Sequence, residues 1–334
     1  MLRTRTSVVP LAIGIAAVVG LSACSEDDGS SAGARVAEGN PAACPGDVVD
    51  VVVSVSQWGG IVEELGGDCA RVTTVVASAG IDPHDFEPSV ADIATFSAAQ
   101  IVVVNGSGYD NWAITAAANV DEPPVIIRAA EVAGLEVPED EHGGHEAEES
   151  GEHAAHGGMD PHVWYEPDAV AAVSASVSEW LASTSPDAAD YFAERRTAWT
   201  RELDEYFAAV DEVRAAAVGR TYAATESVFD RMAAAVGLTD ATPDGYRRAA
   251  SNESDPAPGD LTEFDQALTS GSIDVLIFNT QTSGSIREVL RTAAEDADVP
   301  VVEVTESPPD ADGSFLEWQL DQLEALSDAL GGTP

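Results

Sequence analysis

Residues able to do chemistry concentrate in one stretch, EDEHGGHEAEESGEHAAHGGMDPHVW, residues 139–164, which holds five of the chain's six histidines among carboxylates and glycines. Imidazole nitrogens beside carboxylate oxygens suit divalent transition metals, so metal binding is the first chemistry to consider. The histidines fall into two sets. His142, His145, His153 and His156, with Glu139, Asp140, Glu141, Glu146, Glu148, Glu149 and Glu152, lie in a run without apolar periodicity that reads as an exposed loop. Such a loop either gathers cations or is a solvated insertion of weak affinity, and its residues leave both open.

His162 stands apart because it ends the tripeptide Asp160-Pro161-His162, and the one histidine outside the stretch, His84, ends a second copy, Asp82-Pro83-His84. Proline fixes one backbone dihedral and restricts its neighbour, which suits a residue that must aim a ring nitrogen. The carboxylate two positions earlier can accept the other ring N–H, as metal-bound histidines commonly require. Taken singly, each tripeptide is equally a capped turn carrying an exposed histidine.

Acidic residues close two later apolar runs: Glu226 follows RTYAAT and Glu306 follows VPVVEVT, while His84 comes shortly after RVTTVVA. Ligands of open α/β sheets bind beyond the carboxyl ends of the strands, where groups from two lobes can converge. A single glutamate at a helix start is as well explained by the helix dipole. The convergence carries the reading.

The elements needed to position these groups are legible. DVVDVVVSVSQWG, RVTTVVA, QIVVVNG and PPVIIRA read as strands separated by helical or loop stretches, as do RTYAAT, IDVLIFNT and VPVVEVT later on. Between the two groups, EPDAVAAVSASVSEWLAS reads as a helix, and after Ser185-Pro186 an unbroken helical pattern runs for about thirty residues. The expectation is an α/β protein with mostly parallel sheets. An N-terminal lobe over 46–185 carries the His-rich loop at 139–158. A linking helix over 186–216 leads to a C-terminal lobe over 217–332.

Composition restricts the partners. The 334 residues carry 59 Asp and Glu against 15 cationic residues, all Arg, for a formal charge of −44, which excludes a nucleic-acid or anionic-membrane surface. Residues 1–23 read as a signal peptide, with Arg3 and Arg5 before an apolar stretch too short for a transmembrane helix. Leu21-Ser22-Ala23-Cys24 looks like a lipobox, so Cys24 is the expected lipidation site. Residues 24–45 then have the Ser, Gly and acidic composition of a flexible tether. Outside the cytoplasm the remaining pair, Cys44 and Cys69, is more simply one disulfide than a thiolate metal site.

From VVVSVSQWGGIVEELGGD through GIDPHDFEPSVADIATFSAAQIVVVNGSGYDNW, DPHVWYEP, TESVFDRMAAAVGL, NESDPAPGDL and SFLEWQLDQLEAL, the sequence resembles the cluster 9 solute-binding proteins, the zinc- and manganese-binding subunits of ABC importers. The resemblance implies two pseudo-symmetric lobes joined by one long helix, with Zn²⁺ or Mn²⁺ held in the cleft between them. It puts the metal ligands at His84, His162, Glu226 and Glu306. The family usually has Asp at the fourth place, so Asp310 and Asp312 are alternatives to Glu306. A His-rich loop is characteristic of zinc-type members and a third-ligand Glu of manganese-type members; zinc is slightly favoured. The implied protein is a monomeric, lipid-anchored extracytoplasmic receptor, not an enzyme, that delivers metal to a permease and its ATPase. A secreted metallohydrolase and a surface metal buffer or adhesin are the alternatives, although no HExxH pair is present.

Overall fold

The computed structural model describes residues 33–78, 86–135, 160–252, 254–282, 284–309 and 313–331. Strands β1 (Arg35–Ala37), β2 (Val49–Val55), β3 (Ala70–Val76), β4 (Ile101–Val104) and β5 (Val125–Arg128) form one sheet in the order β1-β3-β2-β4-β5. Strands β6 (Thr221–Ala224), β7 (Thr239–Asp240), β8 (Val275–Asn279) and β9 (Val301–Val304) form the second, in the order β7-β6-β8-β9. All pairings are parallel except β1 with β3. With β1 set aside, both sheets run second, first, third, fourth, so the two α/β lobes repeat one topology.

The central strands are continuous β-branched runs because helices cover both sheet faces: Val51, Val52 and Val53 are all buried, and Val51 lies level with Val72 on one side and Ile101 on the other. The helices are α1 (Ser56–Gly66), α2 (Val90–Thr95), α3 (Asn111–Ala118), α4 (Ala129–Val132), α5 (Pro167–Thr184), α6 (Ala189–Ala216), α7 (Asp230–Ala235), α8 (Asp244–Ser251), α9 (Pro258–Thr269), α10 (Ser285–Asp296) and α11 (Phe315–Ala329). Among the described residues no helix is long and apolar enough to cross a membrane.

Helix α6 spans 28 residues, about 42 Å at 1.5 Å per residue. Phe192, Trp199, Leu203, Tyr206, Val210 and Val213 recur at helical spacing and form its buried stripe. That stripe packs on α1 and α5 of the first lobe and on α11 of the second. Arg195 of α6 binds the Glu64 carbonyl and carboxylate, each at 2.7 Å, and Tyr191 accepts the Asp68 N–H at 2.8 Å. Gly67 ends α1 at φ +49° directly under Tyr191, whose hydroxyl would lie 2.3 Å from an added Cβ; only glycine fits.

One apolar core runs through both lobes. Tyr165, just ahead of α5, stacks edge-on against Phe229 at 5.0 Å and lies 5.6 Å from Trp318, both in the second lobe. Separate smaller cores lie under α3 in the first lobe and under α9 and α10 in the second.

The end of the segment expected to be a flexible tether differs from that reading. Within 24–45, Arg35–Ala37 pairs with β3 as an antiparallel edge strand, and Arg35 forms an ion pair with Glu63 of α1. Cys44 is disulfide-bonded to Cys69, with the Cα atoms 5.0 Å apart. Sheet pairing and a covalent link order a stretch whose composition has little apolar content. Residues 1–32, which include the expected signal peptide and Cys24, lie outside the described residues.

Candidate metal centre

The Asp-Pro-His segment at 160–162 is held from both lobes. Asp160 Oδ1 accepts the His162 backbone N–H at 3.1 Å and lies 2.6 Å from His162 Nδ1. With Nδ1–H donating to the carboxylate, the ring's lone pair resides on Nε2, the arrangement of a metal-ligating imidazole. The residue is only 5% exposed, and Trp164 meets the ring edge-on at 5.3 Å. Buried Asn105, directly after β4, donates from Nδ2 to the Pro161 carbonyl at 2.8 Å. Its own backbone N–H, and that of Gly106, donate to Asp110 at 2.6 and 2.9 Å. Burial pushes the Asp110 carboxyl up, while those bonds and one from Ser54 oppose the shift. From the second lobe, Arg231 of α7 donates Nε to the Asp160 carbonyl at 3.2 Å and lies 3.5 Å from Asp160 Oδ2.

In the second lobe Glu226 and Glu306 come together beyond the carboxyl ends of β6 and β9. Asn279, which ends β8, donates from Nδ2 to Glu226 Oε2 at 2.6 Å and to Glu306 Oε1 at 3.2 Å. Asn279 is 1% exposed, so both bonds are shielded from water. Glu226 Oε2 also accepts from Thr282 Oγ1 at 2.8 Å, and Arg287 forms an ion pair with Oε1. The Glu306 backbone is fixed from both lobes: Gln281 accepts its N–H, and Gln57 of α1 donates to its carbonyl at 2.9 Å. The neighbouring Thr305 carbonyl accepts from Tyr165 at 2.6 Å. Glutamate and histidine segments are thus tied across the lobes by Gln57, Tyr165 and Arg231.

Of the expected ligands, His162, Glu226 and Glu306 lie among the described residues; His84, the alternatives Asp310 and Asp312, and the loop residues His142, His145, His153 and His156 lie outside them. Among the described residues no three of His, Cys, Asp and Glu form a group that could hold a metal ion. The two glutamates meet on one amide, and His162 is not drawn into a ligand set with them.

Sequence reasoning missed the polar groups that hold these side chains. Asn279 was visible only as the end of the strand IDVLIFNT. Asn105 is its counterpart, since each follows or ends the third strand of its lobe, and the shared strand order is the signal that could have found the pair. Arg231 and Arg287 gave no signal, because their partners lie 71 and 61 residues away.

A family model described as "ZnuA: Zinc-uptake complex component A periplasmic" matches residues 51–329. The zinc-binding lipoprotein AdcA of Streptococcus pneumoniae (strain ATCC BAA-255 / R6) is 24% identical over 269 residues, covering 79% of this chain and 52% of AdcA. The chain therefore spans about half the length of that curated relative. The manganese-binding lipoprotein MntA of Halalkalibacterium halodurans is 25% identical over 160 residues, 48% of each protein. Among solved structures, the periplasmic zinc-binding protein TroA of Treponema pallidum superposes with a TM-score of 0.67 at 17% identity, covering 85% of this chain and 99% of TroA, a likeness of fold. Since the family model takes in most of both lobes, the chain belongs to the family of periplasmic zinc-uptake component A proteins.

Proposed function

We propose that the protein is an extracytoplasmic receptor, anchored through lipidated Cys24, that captures a divalent transition metal and delivers it to the permease and ATPase of an ABC importer. The ligands in this reading are His84, His162, Glu226 and Glu306, with Zn²⁺ the favoured cargo. The observation that carries it is the buried His162 ring, whose Nδ1 is 2.6 Å from the Asp160 carboxylate. This is the outer partner that fixes tautomer and orientation in metal-bound histidines. The names of AdcA and TroA favour zinc. Manganese is the second reading, favoured by the name of MntA and by two carboxylates in the set, which suit a harder cation. Catalysis has no place here, since these relatives are named as binding proteins.

Titration of the purified chain with Zn²⁺ and with Mn²⁺ against a competing chelator tests this. One tight site is expected, abolished in His84→Ala and in His162→Ala. Asp160→Asn should weaken it by about 10- to 100-fold while the chain stays folded. Undiminished binding in both alanine variants sinks the assignment.

A further inference from the structure

Arg287 is the third residue of α10, in the first turn of the helix, where a positive charge is disfavoured by the helix dipole. Its position therefore does not serve the helix. The guanidinium instead reaches Glu226 Oε1, and the two side chains are only 27% and 17% exposed. Glu226 Oε2 is engaged by Asn279 at 2.6 Å and Thr282 at 2.8 Å, so both oxygens of the expected third ligand already accept from donors of its own lobe. Asn279 brings Glu306 to the same spot at 3.2 Å. Two carboxylates sharing one amide repel each other unless a cation stands nearby, and the Arg287 guanidinium supplies that cation.

We propose that Arg287 is a resident counter-cation of the metal site. It neutralises Glu226 when no metal is bound and competes with the metal for Oε1. This rests on the reading of Glu226 as a ligand. An incoming ion must break or share the guanidinium–carboxylate pair, so Arg287 lowers the affinity of the site below what its donors alone would give. The same guanidinium returns to Glu226 as the ion leaves, which stabilises the emptied cleft and speeds hand-over. A receptor that must surrender its cargo gains more from this than from maximal affinity.

The test uses the full chain carrying Arg287→Gln or Arg287→Lys, each alone and combined with Glu226→Gln. Zn²⁺ affinity is read by chelator competition, and release by stopped-flow transfer to excess chelator. Arg287→Gln should tighten binding and slow release, each by about tenfold or more, the scale of one hydrogen bond to a charged group. Arg287→Lys, which keeps the charge, should stay near wild type. In the Glu226→Gln background Arg287→Gln should change nothing further. Metal-free Arg287→Gln should also unfold at lower temperature than wild type. Unchanged or weaker binding in folded Arg287→Gln, with Glu226→Gln still impaired, overturns the counter-cation. Full affinity in Glu226→Gln overturns the ligand reading beneath it.

Discussion

Replacing Asn279 with Asp challenges the polar arrangement of the cleft without changing its shape. The wild-type amide donates to Glu226 at 2.6 Å and to Glu306 at 3.2 Å, and its Oδ1 accepts the Gln281 N–H at 3.0 Å. Aspartate keeps the acceptor for Gln281 but turns the donor into a third carboxylate oxygen facing two others. Two hydrogen bonds to charged groups are lost, each worth about 1.5–3 kcal/mol, and like-charge repulsion is added. Side-chain relaxation recovers part of that, leaving an expected loss of about 3 kcal/mol in the metal-free chain near pH 8. Urea unfolding in the presence of a chelator, followed by tryptophan fluorescence, measures it. Asn279→Ala, which removes the donor and the Gln281 acceptor but adds no charge, should lose less than Asn279→Asp. An Asn279→Asp chain within about 0.5 kcal/mol of wild type near pH 8, the range of an indifferent surface substitution, would refute the view that one buried amide holds two charged glutamates together.

Asp230 gives a pH signature of its own. Burial raises its carboxyl from 3.8 to about 6, with the charges of Asp160 and Asp240 adding to the shift and the Tyr222 hydrogen bond opposing it. The folded state therefore holds the proton more tightly than the unfolded state, and stability is lost as pH rises from 3.8 through about 6. Asp230→Asn should gain up to about 3 kcal/mol above pH 7 and nothing below pH 4, read by chemical denaturation at both pH values. Cys44→Ser with Cys69→Ser opens a loop of 25 residues and should cost about 3 kcal/mol, matched in the wild type by adding a reductant.

The lobes were legible in the sequence because seven of the nine strands among the described residues lie in short apolar runs, most of them rich in β-branched side chains. Helix α6 was legible because its apolar stripe continues without Gly or Pro. The other two strands were not. Strand β1 is three residues, RVA, held by β3 and the disulfide, and β7 is two residues beside β6. Neither carries a pattern long enough to show a period. The short helices α3 and α8 escaped for a related reason, since ala-rich and polar runs there lack a clear apolar stripe. At the candidate site, Glu226 and Glu306 could be read as strand-end acids, and His162 through its tripeptide. Their partners could not. Whether Arg287 reaches Glu226 or solvent is decided by how α10 packs beside β8, and no local spacing encodes that.

The small β1 strand has a consequence for contact between copies of the chain. Without it, β3 would be an open edge seven residues long, ARVTTVV, rich in β-branched side chains and able to template pairing with a neighbouring copy. Three residues of β1, followed at once by Glu38, cover the middle of that edge at Val72–Thr74, and the bridge to Cys69 keeps the covering chain in place. Reducing the bridge should therefore expose the molecule to self-association along β3, and its first harm would be clustering of copies rather than loss of the Glu226–Asn279–Glu306 arrangement.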